Sequence, residues 1–153
     1  MAQHDSDLNG EDAIKQVLID LDIGFTAANI FRSFQPHTDT TTLPYLAIKS
    51  IGGSPIAPRT ATERLSFIIE LYSSGIYNAD ANPTPEASHR ALWRAVLGGL
   101  YVTDLATLLS AAVSDFTVHP DDIDYNRGPN NIVGTRFVSQ MNLTMTISPS
   151  DIS

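Results

Sequence analysis

Few residues in the chain have the type and spacing that chemistry demands. Four histidines occur, at positions 4, 37, 89 and 119. A neutral imidazole is a good metal ligand and a general base near neutral pH, but a zinc site needs a second ligand at matching spacing. No two of these histidines have that spacing, so surface or capping roles are expected for them. Asp115, Asp121, Asp122 and Asp124 form the densest acidic cluster. Asp122, Asp124 and Asn126 fit the first three ligand positions of a calcium loop, but Arg127 then stands where glycine belongs and Val133 where the bidentate glutamate belongs. A solvated acidic turn is the expectation.

Nucleophiles and phosphate loops fare no better. Gly53-Ser54-Pro55 lacks the second glycine and the following helix of a nucleophile elbow. Gly52-Gly53 and Gly98-Gly99 lack the companion residues of phosphate and dinucleotide loops. Cysteine is absent, which removes thiol catalysis, thiolate metal sites and disulfides. Asn142-Leu143-Thr144 fits a glycosylation sequon and reads as alternating strand residues. Trp93, with apolar neighbours at helical spacing, reads as core. Arg59 and Arg64 flank a proline-rich stretch and are equally compatible with docking an acidic partner or with plain solvation. No catalytic residue, metal or cofactor is therefore expected, and the chain reads as a protein that works by binding other subunits.

Bulk properties point the same way. At 153 residues, one domain spanning 1–153 can bury about two thirds of the surface of its unfolded form without a metal or disulfide staple. Hydrophobic residues make up 42% and charged residues 17%, against roughly 25% charged in a typical domain, so part of the uncharged surface is expected to meet partners. Nine basic residues stand against seventeen acidic ones, a net charge of -8, which disfavours a phosphate-neutralising nucleic-acid surface. The polar, acidic start from Met1 to Asp12 gives the expectation that the mature chain begins near residue 1. The longest apolar run, Leu65 to Tyr72, is too short and interrupted to span a bilayer as a helix, and a soluble protein is expected.

The periodicities place these residues on elements. After Asn9 as cap, Ile14, Val17, Leu18 and Leu21 predict an amphipathic helix that ends by Gly24. Strands are predicted over Ala28 to Phe34, over Tyr45 to Ile51, and over Thr62 to Ser73 with Leu65, Phe67, Ile69 and Leu71 on one face. Gly52 to Thr62, with two glycines and two prolines, reads as a long loop. Pro85 and Glu86 open a helix with Leu92, Trp93, Val96, Leu97 and Leu100 as its stripe; Gly98-Gly99 is expected to weaken, end or bend it. A short helix follows near Thr103 to Ala112, then a strand from Phe116 to Tyr125 with a break at Pro120, and a turn over Asn126 to Asn131. The strictest alternation runs from Val133 to Ile147. As one strand these fifteen residues would reach about 50 Å and would need a partner of that length. The whole predicts an α+β fold, with a mixed, mainly antiparallel sheet and helices packed on one face. Residues 1–9 and 148–153 read as flexible ends.

This layout resembles the tail terminator (minor tail) proteins of long-tailed, lambda-type bacteriophages. The stretches that carry the resemblance are Glu11 to Leu21, Leu43-Pro44-Tyr45-Leu46-Ala47-Ile48, Thr62 to Tyr72, Ala87 to Leu109, and Val133 to Ile147, with no short diagnostic motif among them. The resemblance implies a virion tail protein assembled in the host cytoplasm. It would form a ring of six copies that ends the tail tube, stops its polymerisation and offers a surface to the head–tail connector protein. Its partners would be itself, the tail tube protein and the connector; DNA would pass through without specific binding, and no membrane would be involved. The residues this assigns to subunit contacts are Gly53, Ser54, Pro55, Ile56, Pro58, Arg59, Arg64, Arg136, Gln140 and Asn142. Another ring-forming tube or neck subunit is the nearest alternative, separable by whether rings stack into filaments. A small hydrolase using His119 and Asp122, and a ligand-binding module with a pocket beneath the Gly/Pro loop, are the remaining classes.

Overall fold

The computed structural model describes residues 6–32, 43–55, 62–76, 84–101, 105–111, 116–120, 131–133 and 135–149. Helix α1 (Ser6–Asp20) places Ala13, Ile14, Val17 and Leu18 on one buried stripe. It ends where Asp22 (φ 53°) and Gly24 (φ 97°) turn the backbone left-handed. A 3-10 turn, Ala27–Asn29, follows, held by Thr26 Oγ1 accepting from the Ala28 amide and by Asn29 Oδ1 accepting from the Thr26 amide. It leads into β1 (Ile30–Arg32), β2 (Tyr45–Pro55) and β3 (Glu63–Ser74). Helix α2 (Pro85–Leu100) opens with Thr84 capping the Ala87 amide and Pro85 in the first turn. Helix α3 (Leu105–Ala111), β4 (Phe116–Pro120), β5 (Asn131–Val133) and β6 (Arg136–Pro149) complete the order.

The strands form one six-stranded sheet in the order β1-β2-β3-β6-β4, with β5 also paired to β6. Among the described residues, only the β1–β2 pair is parallel. The helices pack on one face of the sheet, as the alternation requires. Leu46, Ile48, Leu65, Phe67, Ile69, Leu71, Met141, Leu143, Met145 and Ile147 point from the strands into a shared core with the α1 stripe, with Trp93, Val96 and Leu100 of α2, and with Leu105 and Leu109 of α3. Burying one such side chain contributes about 1.5–3 kcal/mol, which explains why strict alternation outweighs local propensity here. The α+β expectation, with its mixed and mainly antiparallel sheet, is met.

Several boundaries differ from expectation. The first helix begins at Ser6, so Asn9 and Gly10 lie inside it, and residues 6–9 are helical where a flexible end was expected. Glycine is required at position 10 by packing: a methyl group there would collide with the Phe67 ring and sit 2.8 Å from Ile147 Cδ1. Ala28 and Asn29 belong to the 3-10 turn, where the Thr26 cap competes successfully with strand extension. At the other end, Ser148 and Pro149 pair with Thr117 and Phe116 of β4 and are strand.

The first four residues of the expected Gly52 to Thr62 loop belong to β2, and residues 56–61 lie outside the described residues. β2 continues to Pro55, pairing Gly52 with Ser66 and Pro55 with Glu63 after a bulge at Ile51. Gly52 absorbs the bulge at φ 109°, and a side chain on Gly53 would run into the backbone of Arg64, so both glycines serve the strand instead of ending it. The last strand shows the opposite error. Its alternation hides a reversal at Thr135, and β5 folds back so that Ile132 opposes Phe137 and Val133 opposes Arg136. β6 therefore starts at Arg136; β3 pairs with it from Arg136 to Ile147, while β4 and β5 take the two ends of its other edge. The Gly98-Gly99 pair does not end α2, whose last turn is anchored by fully buried Leu100. Residues 121–125 of the expected fourth strand lie outside the described residues.

Candidate functional site

The sheet face opposite the helices carries a network centred on Glu70. β3 alternation turns this residue away from the apolar core, yet its side chain is only 6% exposed. Its Oε2 accepts from Gln140 Nε2 on β6 (2.8 Å) and from the Tyr72 hydroxyl two residues along β3 (3.2 Å). Its Oε1 lies 2.7 Å from Lys49 Nζ on β2, in a direction unsuited to a hydrogen bond. Charge attraction therefore holds that oxygen, and directed bonds hold the other. Burial, and then the Glu70 carboxylate, push the Tyr72 phenol above its ordinary range, so Tyr72 remains a donor to Glu70.

Aromatic packing continues the network to the sheet's end. Tyr45 stacks on Tyr72 with ring centroids 4.7 Å apart and meets the edge of Phe31 at 5.5 Å. Its hydroxyl accepts from Arg136 Nη1 at 2.9 Å, and the guanidinium lies 5.8 Å from the Tyr45 ring centre. Farther along, the hydroxyls of Ser66 and Thr144 bond across β3 and β6. One carboxylate, one amine and paired hydroxyls thus tie β2, β3 and β6 in a single register. A slip by one residue would bury this polar row among the helices.

A second buried polar cluster joins α2 to the sheet. His89 Nδ1 lies 2.6 Å from Ser73 Oγ of β3, and Nε2 lies 2.8 Å from Ser139 Oγ of β6. All three residues are buried. The Phe137 ring covers the imidazole at 5.7 Å. Burial, and secondarily Arg90, lower the His89 pKa below its ordinary value, so the ring is neutral at neutral pH, donating through one nitrogen and accepting through the other.

On the surface, large apolar side chains are exposed in separate places. Ile76 and Ile132 stand at one end of the sheet, where the Gly75 amide bonds to the Thr135 carbonyl at 2.7 Å. Tyr101 is exposed just past the end of α2, Leu108 on α3 and Ile51 at the β2 bulge. Beside Leu108 a groove of about 200 Å³ is lined by Gln16, Val17 and Asp20 of α1, by Leu21 just after it, and by Leu108 and Ala111 of α3.

The residues assigned to subunit contacts fall into three groups. Arg64, Arg136, Gln140 and Asn142 all lie on the Glu70 face, as the strand parity requires; Arg64 and Asn142 are exposed, whereas Arg136 and Gln140 bond to Tyr45 and Glu70. Gly53, Ser54 and Pro55 form the end of β2, paired with Leu65, Arg64 and Glu63. Ile56, Pro58 and Arg59 lie outside the described residues, as do Asp115, Asp121, Asp122, Asp124 and the side chain of His119. Among the described residues no three histidines, aspartates or glutamates are grouped to hold a metal, and no helix is long and apolar enough to cross a membrane.

The sequence reading did not find Glu70 or His89. Each left a signal: Glu70 is the one charge in the run Leu65 to Tyr72, and His89 stands three and four residues before Leu92 and Trp93, on the buried helical stripe. No family model and no curated protein matches the chain.

Proposed function

We propose that this chain is a structural subunit of a phage tail that associates head to tail into a ring, ends the tail tube and presents a surface to the head–tail connector. The observation that carries the reading is the separation of exposed apolar side chains at Ile132 and at Tyr101 on one subunit. Ile132 lies opposite Phe137, which covers His89 in the first half of α2; Tyr101 follows the last residue of the same helix. At 1.5 Å per residue the two patches are about 18 Å apart along α2. Two different patches on one subunit favour heterologous contacts, which close into a ring when the rotation per subunit allows it. The -8 net charge adds support, because acidic walls repel a passing phosphate backbone. A strongly basic lumen in images of the ring would contradict that part.

Light scattering on the wild type, alone and with tube protein, and on two surface variants tests the reading. The wild type is expected to form a closed oligomer, alone or on tube ends. Ile132→Asp and Tyr101→Asp each spoil one patch and are expected to give monomers, while an equimolar mixture gives dimers joined through the one intact pair of patches. Open-ended filaments of the wild type would assign the chain to a tube subunit instead. A wild type that stays monomeric and never binds tube ends would overturn the ring.

A further inference from the structure

We propose that the Ser73–His89–Ser139 bridge is an acid-sensitive latch that holds the first half of α2 on the sheet. Its geometry is specific. One imidazole spans two strands, with Nδ1 2.6 Å from Ser73 Oγ and Nε2 2.8 Å from Ser139 Oγ. In the neutral ring one nitrogen donates and the other accepts, so one serine accepts and the other donates. Protonation makes both nitrogens donors. The donating serine must then turn its proton toward some other acceptor in a buried seam, and a cation must sit where water does not reach.

The neighbouring charges do nothing to soften this. On α2 itself, Arg90 is adjacent and Glu86 is occupied by Arg90 at 2.9 Å. From β3 the described residue facing the ring is Ser73, and from β6 they are Ser139 and Phe137; Glu70, Tyr72 and Arg136 belong to the opposite sheet face. No described carboxylate touches the imidazole. The docked ring is therefore held neutral, whereas a released ring protonates near its ordinary 6.5. Falling pH favours release, and rising pH restores docking. Over the interval in which only the released form is protonated, each pH unit multiplies the released population by about ten. Release would uncover the apolar stripe around Trp93 without breaking the β3–β6 ladder.

Hydrogen–deuterium exchange on the full chain, corrected for intrinsic rates and compared at about pH 7.5 and about pH 5, is the test. Amides of α2 from His89 to Trp93 are expected to lose at least about tenfold in protection while β3 and β6 keep theirs. Trp93 is the single tryptophan and is buried one turn beyond His89, so its emission should shift to the red in the same titration, with a midpoint below 6.5. His89→Gln keeps a donor and an acceptor but cannot take up the proton, and should abolish the step. Unchanged α2 protection in the wild type at the lower pH would overturn the latch, as would parallel loss of protection in the sheet or a step that survives in H89Q. If H89Q fails to fold, the wild-type exchange pattern still decides.

Discussion

Gly10→Ala is expected to destabilise the protein by about 1–2 kcal/mol, and combining it with Phe67→Leu is expected to cost clearly less than the two single losses added together. Two opposed effects set the first figure. Alanine inside a helix gains up to about 1 kcal/mol over glycine, whereas overpacking a tight core costs about 1–3 kcal/mol. The collision wins here because the added methyl meets the ring of Phe67, a fully buried side chain, with Ile147 Cδ1 close behind. Phe67→Leu alone leaves a void and should cost about 1–2 kcal/mol, less than the ~3–5 kcal/mol of a full truncation to alanine. In the double variant the new methyl occupies that void. Urea denaturation of the four proteins should therefore give a coupling of about 1 kcal/mol or more in favour of the double variant. Additive losses would mean that α1 does not rest on Phe67 through Gly10.

That contact also shows where sequence reasoning stopped. The alternation of β3 and β6 was legible because every second residue is apolar from Leu65 to Leu71 and from Met141 to Ile147, and the stripe of α1 was legible at 3.6-residue spacing. Glycine and proline misled because their conformational freedom was weighed without their neighbours. Gly10 marks a close approach of helix to sheet, and Gly52 marks a bulge; neither ends an element. The reversal at Thr135 inverts the parity, since Ile132 opposes Phe137 and Val133 opposes Arg136; it escaped notice because residues 132 and 133 are both apolar, so the alternation can be continued through either. For the polar clusters, one sequence shows a single Glu70 or His89 but not the partners at positions 49, 140, 73 and 139, which only pairing of the strands brings together.

Glu70 provides the other large expected effect. Lys49→Met should cost about 1–3 kcal/mol, and adding Glu70→Gln should bring stability back toward the wild type. Leaving a buried carboxylate without its cation costs about 3–5 kcal/mol where both partners are buried. The Lys49 side chain is 45% exposed while that of Glu70 is 6% exposed, so water already screens the amine and the lower range applies. In the single variant the carboxylate keeps its two directed bonds, from Gln140 and Tyr72, but faces no compensating charge. In the double variant a neutral amide carbonyl can still accept from the same donors, and the uncompensated charge is gone. Thermal denaturation of both variants against the wild type decides between the two outcomes. If the double variant is less stable than Lys49→Met, the charge on Glu70 strengthens its bonds from Gln140 and Tyr72 by more than the missing cation costs. If it recovers, the pair serves to keep β2, β3 and β6 in one register, since the carboxylate is tolerated only where a cation on β2 meets it. Either outcome bears on the proposed assembly, because Arg64 and Asn142 lie on the same face and their spacing depends on that register.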